Sequence, residues 1–235
     1  MNNFIELKNL SKTFFAKKNV NVLKKINFKF KLGKVYSLMG PSGSGKSTLL
    51  NIISLIDKPS IGLIKFQNND INFNNNKMND IFRANNIGIV YQQDNLLPDF
   101  TALENVYLAC LAAGYEKEIA TNKAKNILKK VGLFSRIDHY PNELSGGEKQ
   151  RVSICRALIN EPKIILADEP TGSLDKKTSD EIFALLKKQI NPKRLIIFAT
   201  HNRFLANKSD CLLEIVDGKI KSTNVRLSSK KFQSS

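Results

Sequence analysis

The sequence predicts an α/β fold in which a parallel β-sheet core is fronted by an antiparallel β layer. Three nearly unbroken apolar runs, at residues 35–39, 164–167 and 195–199, are typical of parallel strands that helices cover on both faces. Residues 5–8 and 26–30 instead alternate apolar and polar side chains, which indicates half-exposed antiparallel strands. With 235 residues and 42% hydrophobic content, we expect a single domain over residues 1–235, with a subdomain.

Residues 93–150 carry helical patterns and form the predicted helical subdomain. A capping box of Thr101 and Glu104 marks the start of one helix. A second helix ends at Gly132 and is indicated by apolar residues at helical spacing. These residues are Ile119, Ala124, Ile127, Leu128 and Val131. The Asn-rich residues 68–79 predict a surface connection, and residues 228–235 predict a flexible basic tail.

Composition and charge limit the possible classes of protein. The formal net charge is +16, but the lysines are scattered beside an excess of Asn, Ile and Phe, so we expect no nucleic-acid partner. No apolar run reaches the roughly 18 residues of a membrane span, and the first residues lack the layout of a signal peptide, which predicts a cytoplasmic protein. Cys110, Cys155 and Cys211 are isolated, which disfavours disulfides and a zinc site and indicates apolar fillers.

A phosphate-binding loop follows the first apolar run. Residues 40–47 fit GxxxxGK[ST] between a predicted strand and an apolar helix that begins near Thr48. Glycines permit the turn and let backbone N–H groups surround the β-phosphate, while Lys46 meets phosphate oxygens and Ser47 offers its hydroxyl to Mg²⁺. The motif predicts a P-loop NTPase with a RecA-like sheet core. Its expected ATP-binding residues are Gly40, Pro41, Ser42, Gly43, Ser44, Gly45, Lys46, Ser47 and Thr48.

Two acids end the second apolar run, as in a Walker B segment. Asp168 can hold Mg²⁺ directly or through water, and Glu169 can polarise the water that attacks the γ-phosphorus. An acidic turn that merely caps a strand is the alternative. Beside a P-loop, we expect Glu169 and Lys46 to be catalytic.

A second phosphate-binding helix start lies about a hundred residues after the first. In the heptapeptide 144–150, Ser145 and Glu148 form a capping box. Gly146 and Gly147 leave the free backbone N–H groups of the helix uncovered, so their partial positive charge can meet an anion. The alternative is a flexible glycine turn before an ordinary helix. The predicted apolar face of this helix carries Val152, Cys155 and Leu158.

Together these motifs resemble the nucleotide-binding subunit of ABC transporters over residues 4–221. The resemblance implies that Gln92 is the Q-loop glutamine that touches Mg²⁺ and senses a membrane partner, with Gln93 as a competitor. It implies that His201 is the switch histidine that contacts the γ-phosphate and is catalytic. Phe14 occupies the place of the aromatic ring that stacks on adenine, although Phe14 or Phe15 could simply be core. The implied D-loop is Ser173, Leu174 and Asp175.

The resemblance also explains why there are two phosphate-binding helix starts. In ABC ATPases, the P-loop of one protomer and the signature of the other enclose one ATP, which implies a homodimer with two composite sites. The implied signature residues that act in trans are Ser145, Gly146, Gly147 and Glu148. The resemblance further implies a Mg²⁺ cofactor bound by Ser47, Gln92 and Asp168, separate permease subunits, and a peripheral location on the cytoplasmic side of the inner membrane.

Within the family, residues 96–106 and 167–175 are similar to the lipoprotein-releasing LolD group. This implies an ATP-driven motor that works with LolC/LolE-like permeases and moves lipoproteins toward a periplasmic carrier. MacB-like export and FtsE-like cell-division or cell-wall ATPases share the second segment and are the alternatives. A soluble ABC ATPase acting on ribosomes or DNA is disfavoured because those proteins usually carry two modules or large insertions. Asn202 departs from the pattern, in which an Asp commonly follows the switch histidine.

Overall fold

The computed structural model describes residues 4–15 and 19–225, whose strands form two sheets. The elements in chain order are β1 (Ile5–Phe14), β2 (Val20–Phe30), β3 (Val35–Met39), α1 (Lys46–Ile53), β4 (Ile61–Phe66), β5 (Asn69–Asp70), α2 (Asn76–Asn86), β6 (Ile87–Val90), α3 (Ala102–Ala112), α4 (Lys117–Lys130), α5 (Gly146–Leu158), β7 (Ile164–Asp168), α6 (Lys176–Lys187), β8 (Leu195–Ala199), α7 (Arg203–Ala206), β9 (Cys211–Val216) and β10 (Lys219–Val225).

The four-stranded sheet is the predicted antiparallel layer, with strand order β2-β1-β4-β5. Ile5 of β1 pairs with Phe30 of β2 on one side and with Phe66 of β4 on the other. Ile5 and Leu7 are buried while Lys8 is exposed, so the alternation in the sequence separates a core face from a solvent face. The prediction for residues 5–8 and 26–30 is confirmed.

The six-stranded sheet forms the core, with strand order β10-β9-β3-β8-β7-β6. All neighbours run parallel except β10, which is antiparallel to β9. All five residues of β8 are buried, as expected for a strand that is covered on both faces. In the registers of these strands, Leu38 pairs with Ala199 and Ala199 pairs with Asp168. The carboxyl ends of β3, β8 and β7 therefore lie side by side and bring their following loops together.

Helices α3, α4 and α5 pack around a hydrophobic cluster that is separate from the sheet core. Val152 and Cys155 of α5 belong to this cluster, whereas Ile154 and Leu158 belong to the cluster that includes the inner strands. Helix α5 therefore joins the helical region to the sheet and continues beyond residue 150, where the sequence places the limit of the subdomain. Both capping boxes are present, at Thr101 with Glu104 and at Ser145 with Glu148.

The second predicted helix is confirmed as α4, in which Ala120, Ala124 and Leu128 are buried and Ile119 is 49% exposed. Two local expectations are wrong. Helix α1 begins at Lys46 rather than near Thr48. The Asn-rich residues 68–79 contain β5 and the start of α2, which Asn75 caps by accepting a hydrogen bond from the Met78 N–H. Asn favours caps and turns because its side chain bonds to nearby backbone, so the same composition also suits a helix start. The predicted tail at 228–235 lies outside the described residues.

The three cysteines are buried and unpaired, as expected of apolar fillers. Burial raises the pKa of the Cys155 thiol to about 12, so it stays protonated and unreactive at neutral pH. Over the described ranges, no helix combines the length and apolar character that a membrane crossing requires.

Candidate functional site

The P-loop connects β3 to α1, as the motif predicts. Gly45 is the N-terminal cap of α1, with φ of 103° and no side-chain hydrogen bond, so the first backbone N–H groups of the helix are not covered by a capping side chain. Gly40 has φ of 151°, and a Cβ at this position would lie 2.0 Å from the carbonyl oxygen of Ile215. Only glycine lets the backbone pass this close to β9, and this fixes where the loop begins.

The Lys46 ammonium lies over the loop that precedes it. Its Nζ donates hydrogen bonds to the carbonyl oxygens of Gly40 at 2.9 Å and Pro41 at 3.1 Å. Ser47 is exposed and Thr48 is half-buried in the first turn of α1. Ser44 is buried, and within the described ranges its hydroxyl has no hydrogen-bond partner. The predicted phosphate contacts therefore surround one helix start that combines backbone donors with a cation.

Asp168 and Glu169 lie where β7 ends beside β8. The Oδ1 atom of Asp168 is buried without a hydrogen-bond partner in the described part of the chain. Glu169 has φ of 47°, and its backbone N–H donates to the carbonyl oxygen of Ala199 at 3.0 Å. Its Oε2 lies 3.0 Å from Nδ1 of His201. The side chain of His201 is 73% exposed, so this pair lies at the surface next to the strand ends.

Gln92 follows β6, and its side chain lies against the turn that follows Glu169. A Cβ at Gly172 would be 2.8 Å from Nε2 of Gln92, which places the amide next to this turn. The hydroxyl of Ser173 also donates to the carbonyl oxygen of Gln92, at 3.4 Å. The Gln92 side chain thus lies beside the turn after Glu169, and its role as the Q-loop glutamine stays a prediction.

The start of α5 is built as the sequence predicts. The Ser145 hydroxyl accepts from the Glu148 N–H at 3.3 Å, and the Glu148 carboxylate accepts from the Ser145 N–H at 2.8 Å. This backbone hydrogen bond holds the pKa of Glu148 below its ordinary value. Within the chain, Gly146 lies beside Leu174 and Gly147 lies beside Thr178. The predicted signature thus lies beside the predicted D-loop and α6 of the same chain.

The D-loop residues Ser173, Leu174 and Asp175 lead into α6. Asp175 is the N-terminal cap of this helix and accepts from the Thr178 N–H at 3.0 Å. Hydrogen bonds from Thr178 lower the pKa of the Asp175 carboxyl. The D-loop therefore has a defined shape next to the signature.

Phe14 and Phe15 lie at the end of β1 and are 44% and 79% exposed. The hypothesis that they belong to the core is therefore wrong. The ammonium of Lys12 lies 4.8 Å from the centre of the Phe14 ring. An accessible ring is compatible with stacking on a base, so that role of Phe14 stays a prediction.

Three polar residues that the sequence patterns did not assign to the site shape its loops. Gln150 and Arg156 of α5 donate to backbone carbonyls of neighbouring loops. The sequence could have indicated these two residues as polar side chains on the buried face of α5. The Asn202 side chain accepts hydrogen bonds from the N–H groups of Phe204 and Leu205, so it caps α7 as an Asp would. The departure of Asn202 from the family pattern therefore leaves the start of α7 intact.

Comparison with known proteins agrees with this geometry. The family described as ABC transporter matches residues 23–172. The lipoprotein-releasing system ATP-binding protein LolD of Wigglesworthia glossinidia brevipalpis is 44% identical over 229 residues, which is 96% of this chain and 100% of that protein. LolD of Rickettsia bellii is 45% identical over 92% of this chain and 97% of its own. The macrolide export ATP-binding/permease protein MacB of Bartonella henselae is 41% identical over 93% of this chain but only 33% of its own.

A solved structure of an ATP-binding cassette is also similar to this chain. A dimeric ATP-binding cassette in a post-hydrolysis state, bound to ADP and Pi, aligns with a TM-score of 0.86 and 39% identity over 94% of this chain and 98% of that one. The whole length of the LolD proteins is matched, whereas two thirds of MacB is not, so the MacB-like alternative is not favoured. The chain belongs to the ABC transporter family, as an ATP-binding subunit of the LolD type.

Proposed function

We propose that this ATPase is the motor subunit of a transporter that releases lipoproteins from the inner membrane toward a periplasmic carrier. The observation that carries the proposal is the placement of Glu169 and His201, 3.0 Å apart, at the strand ends beside the P-loop. The substrate class is supported by the LolD relatives, which are named for lipoprotein release and match nearly all of this chain.

In the proposed mechanism, the P-loop holds the phosphates and Glu169 activates water. Backbone N–H groups at the start of α1 and the Lys46 ammonium neutralise the β- and γ-phosphates. The Glu169 carboxylate accepts a proton from the attacking water, whose oxygen forms a bond to the γ-phosphorus. The bond between that phosphorus and the β–γ bridging oxygen breaks, and its electron pair stays on ADP. His201 donates its Nδ1–H to the carboxylate, and when its second ring nitrogen also carries a proton it donates that N–H to a γ-phosphate oxygen. The products are ADP and phosphate.

The residues present fit a Mg²⁺ ion. Asp168 has a buried carboxylate oxygen without a partner in the described part of the chain, and an ionised oxygen is the ligand that Mg²⁺ prefers. Ser47 and Gln92 would complete the protein's share of the ligands, and water and phosphate oxygens would supply the rest. When bound, the ion would offset negative charge on the phosphates.

Two copies of the chain would complete each site. Gly146 lies beside Leu174 of its own D-loop and Gly147 lies beside Thr178 of α6, and this helix start would face the γ-phosphate of ATP held by the second copy. The solved cassettes with TM-scores of 0.86 are dimeric, which supports a homodimer. Closure around ATP and reopening after product release would then supply the mechanical step.

We propose that the membrane passage belongs to separate LolC/LolE-like permeases. The MacB relative is named as an ATP-binding and permease protein, and this chain matches only 33% of it, which supports a division of the same parts between chains. A cavity of about 790 Å³ between α2, β6 and α3 includes Tyr91, next to Gln92, and offers a permease a docking surface beside the site. The chain would then act at the cytoplasmic side of the inner membrane.

The test combines turnover with release. The Glu169→Gln variant should bind ATP with unchanged affinity and hydrolyse it at least about a hundredfold more slowly, because it keeps the shape but loses the base. Glu118→Gln, on the exposed first turn of α4, is the matched control. The chain reconstituted with its permeases should release a lipoprotein from vesicles in an ATP-dependent manner. ATP hydrolysis without lipoprotein release would contradict the cargo, and normal turnover of Glu169→Gln would contradict the mechanism.

A further inference from the structure

Gln150 is a buried polar residue that contacts two loops of the site. It lies one turn into α5 after the signature and is 2% exposed. Its Nε2 donates one hydrogen bond to the carbonyl oxygen of Tyr91 at 3.0 Å and another to the carbonyl oxygen of Pro170 at 2.9 Å. A side-chain amide has two N–H donors, so both are used to join two different segments of backbone.

The two carbonyl oxygens belong to residues that adjoin the proposed site residues. Tyr91 immediately precedes Gln92, and Pro170 immediately follows Glu169. These loops also meet where the Gln92 side chain packs against Gly172. Gln150 therefore links the signature helix to the backbone on which a proposed Mg²⁺ ligand and the proposed catalytic carboxylate are carried.

A second residue of α5 fixes the other side of the Q-loop. The guanidinium of Arg156 donates to the carbonyl oxygens of Asp94 and Asn95, both at 2.8 Å. Helix α5 therefore donates hydrogen bonds to the backbone on both sides of Gln92, through Gln150 to the residue before it and through Arg156 to the residues after it. The bonds end on backbone oxygens rather than side chains, so they constrain the path of the loop.

We propose that Gln150 is a positioning residue that makes the signature helix, the Q-loop and the loop after Glu169 move as one unit. The proposal rests on the proposed roles of Gln92 and Glu169. When Gln92 shifts, Gln150 carries the shift to the start of α5 and hence to the ATP that the signature meets on the second copy. Without this link, nucleotide still binds the P-loop, but the site is not assembled for hydrolysis.

The first test replaces the amide with an apolar side chain of similar length. Gln150→Met should lower kcat about tenfold or more while changing the affinity for ATP by less than about threefold, because misplaced groups affect the transition state and not P-loop binding. The control is Gln189→Met, since Gln189 follows α6, where its Nε2 donates to the carbonyl oxygen of Leu185 and its Oε1 accepts from Arg194. The control should keep wild-type turnover.

A double-mutant cycle separates positioning from general destabilisation. If Gln150 acts through the Q-loop, Gln92→Ala together with Gln150→Met should be hardly slower than the slower single variant. Losses of kcat that multiply, or that parallel a loss of ATP affinity and of the unfolding midpoint, would overturn the proposal. So would wild-type turnover of Gln150→Met. If wild type itself fails to hydrolyse ATP, or Glu169→Gln hydrolyses normally, the proposed mechanism fails instead.

A measurement on the unchanged chain does not depend on a variant folding. Hydrogen–deuterium exchange of the wild-type chain, with and without ATP and Mg²⁺, should show protection changing together in residues 91–95 and at the start of α5. A change in residues 91–95 with none in α5 would contradict the link.

Discussion

Two variants of this chain that we expect to be inactive can test whether each ATP site is shared between copies. Ser145→Arg places a long cation at the start of α5, beside Gly146, and Glu169→Gln removes the proposed base. In a shared site, each ATP needs Glu169 of one protomer and Ser145 of the other. Each variant alone then has two defective sites. A mixed dimer has one site with both residues intact and one site with both altered, so mixing the two variants should restore turnover.

The structure sets the expected magnitudes. About half the dimers in an equal mixture are mixed and each has one intact site of two, so the mixture should reach about a quarter of the wild-type rate. Loss of the Ser145 cap, whose hydroxyl accepts from the Glu148 N–H, should lower the free energy of unfolding by about 1 kcal/mol. This corresponds to about 2–4 °C in Tm for a chain of this size. Ser145→Ala loses the same cap without the added bulk and is the control for stability.

The assay is phosphate release after the variants are mixed and equilibrated before ATP is added. Ser145→Arg and Ser145→Ala should be equally destabilised, so a larger loss of turnover in Ser145→Arg measures the effect of the added bulk and charge rather than of the lost cap. If the mixture stays as inactive as its components while a mixture of either with wild type forms dimers, each protomer uses its own signature and the shared site is wrong.

Three further predictions follow from local geometry. Gly40→Ala should lower the free energy of unfolding by about 2 kcal/mol or more, because its Cβ would meet the Ile215 carbonyl oxygen; an unchanged midpoint in urea would contradict this. The pKa of Glu148 is lowered in the folded state from its ordinary value of 4.5. The ionised carboxylate therefore stabilises the fold at pH values above 4.5, and this stabilisation is lost as the pH falls through the lowered pKa. The difference in unfolding free energy between wild type and Glu148→Gln, which keeps an acceptor, should thus be present at pH 7 and vanish in acid; a pH-independent difference would refute it. Phe14→Ala should weaken ATP binding at least about fivefold in a fluorescence titration and Phe14→Tyr should not, whereas equal affinities would exclude stacking.

Sequence patterns predicted the parts of this fold in which one physical effect dominates. The apolar runs became buried parallel strands because helices cover both faces, and the alternating residues 5–8 became a strand with one solvent face. Ser145 and Glu148 formed their capping box because its hydrogen bonds are local in sequence. The P-loop also depends on adjacent residues, so its strand, turn and helix were predictable together.

The missed features depend on contacts that are distant in sequence. Strands β9 and β10 pair at one edge of the core sheet, and no local pattern requires that position. The role of Gln150 exists only because Tyr91 and Pro170 meet at one point in space, 59 and 20 residues away along the chain. The exposure of Phe14 likewise depends on where β1 ends relative to the rest of the sheet. The hydrophobicity of Phe14 alone favours a place in the core as readily as a role in stacking on adenine.

The backbone of Glu169 shows that stability and activity conflict at one residue. Its φ of 47° is a left-handed conformation that costs a residue with a side chain about 1–2 kcal/mol and costs glycine almost nothing. A glycine here would relieve that strain and also delete the carboxylate on which hydrolysis is proposed to depend. The strain is therefore held at the residue on which the proposed hydrolysis depends, and relieving it with glycine would remove the reaction as well.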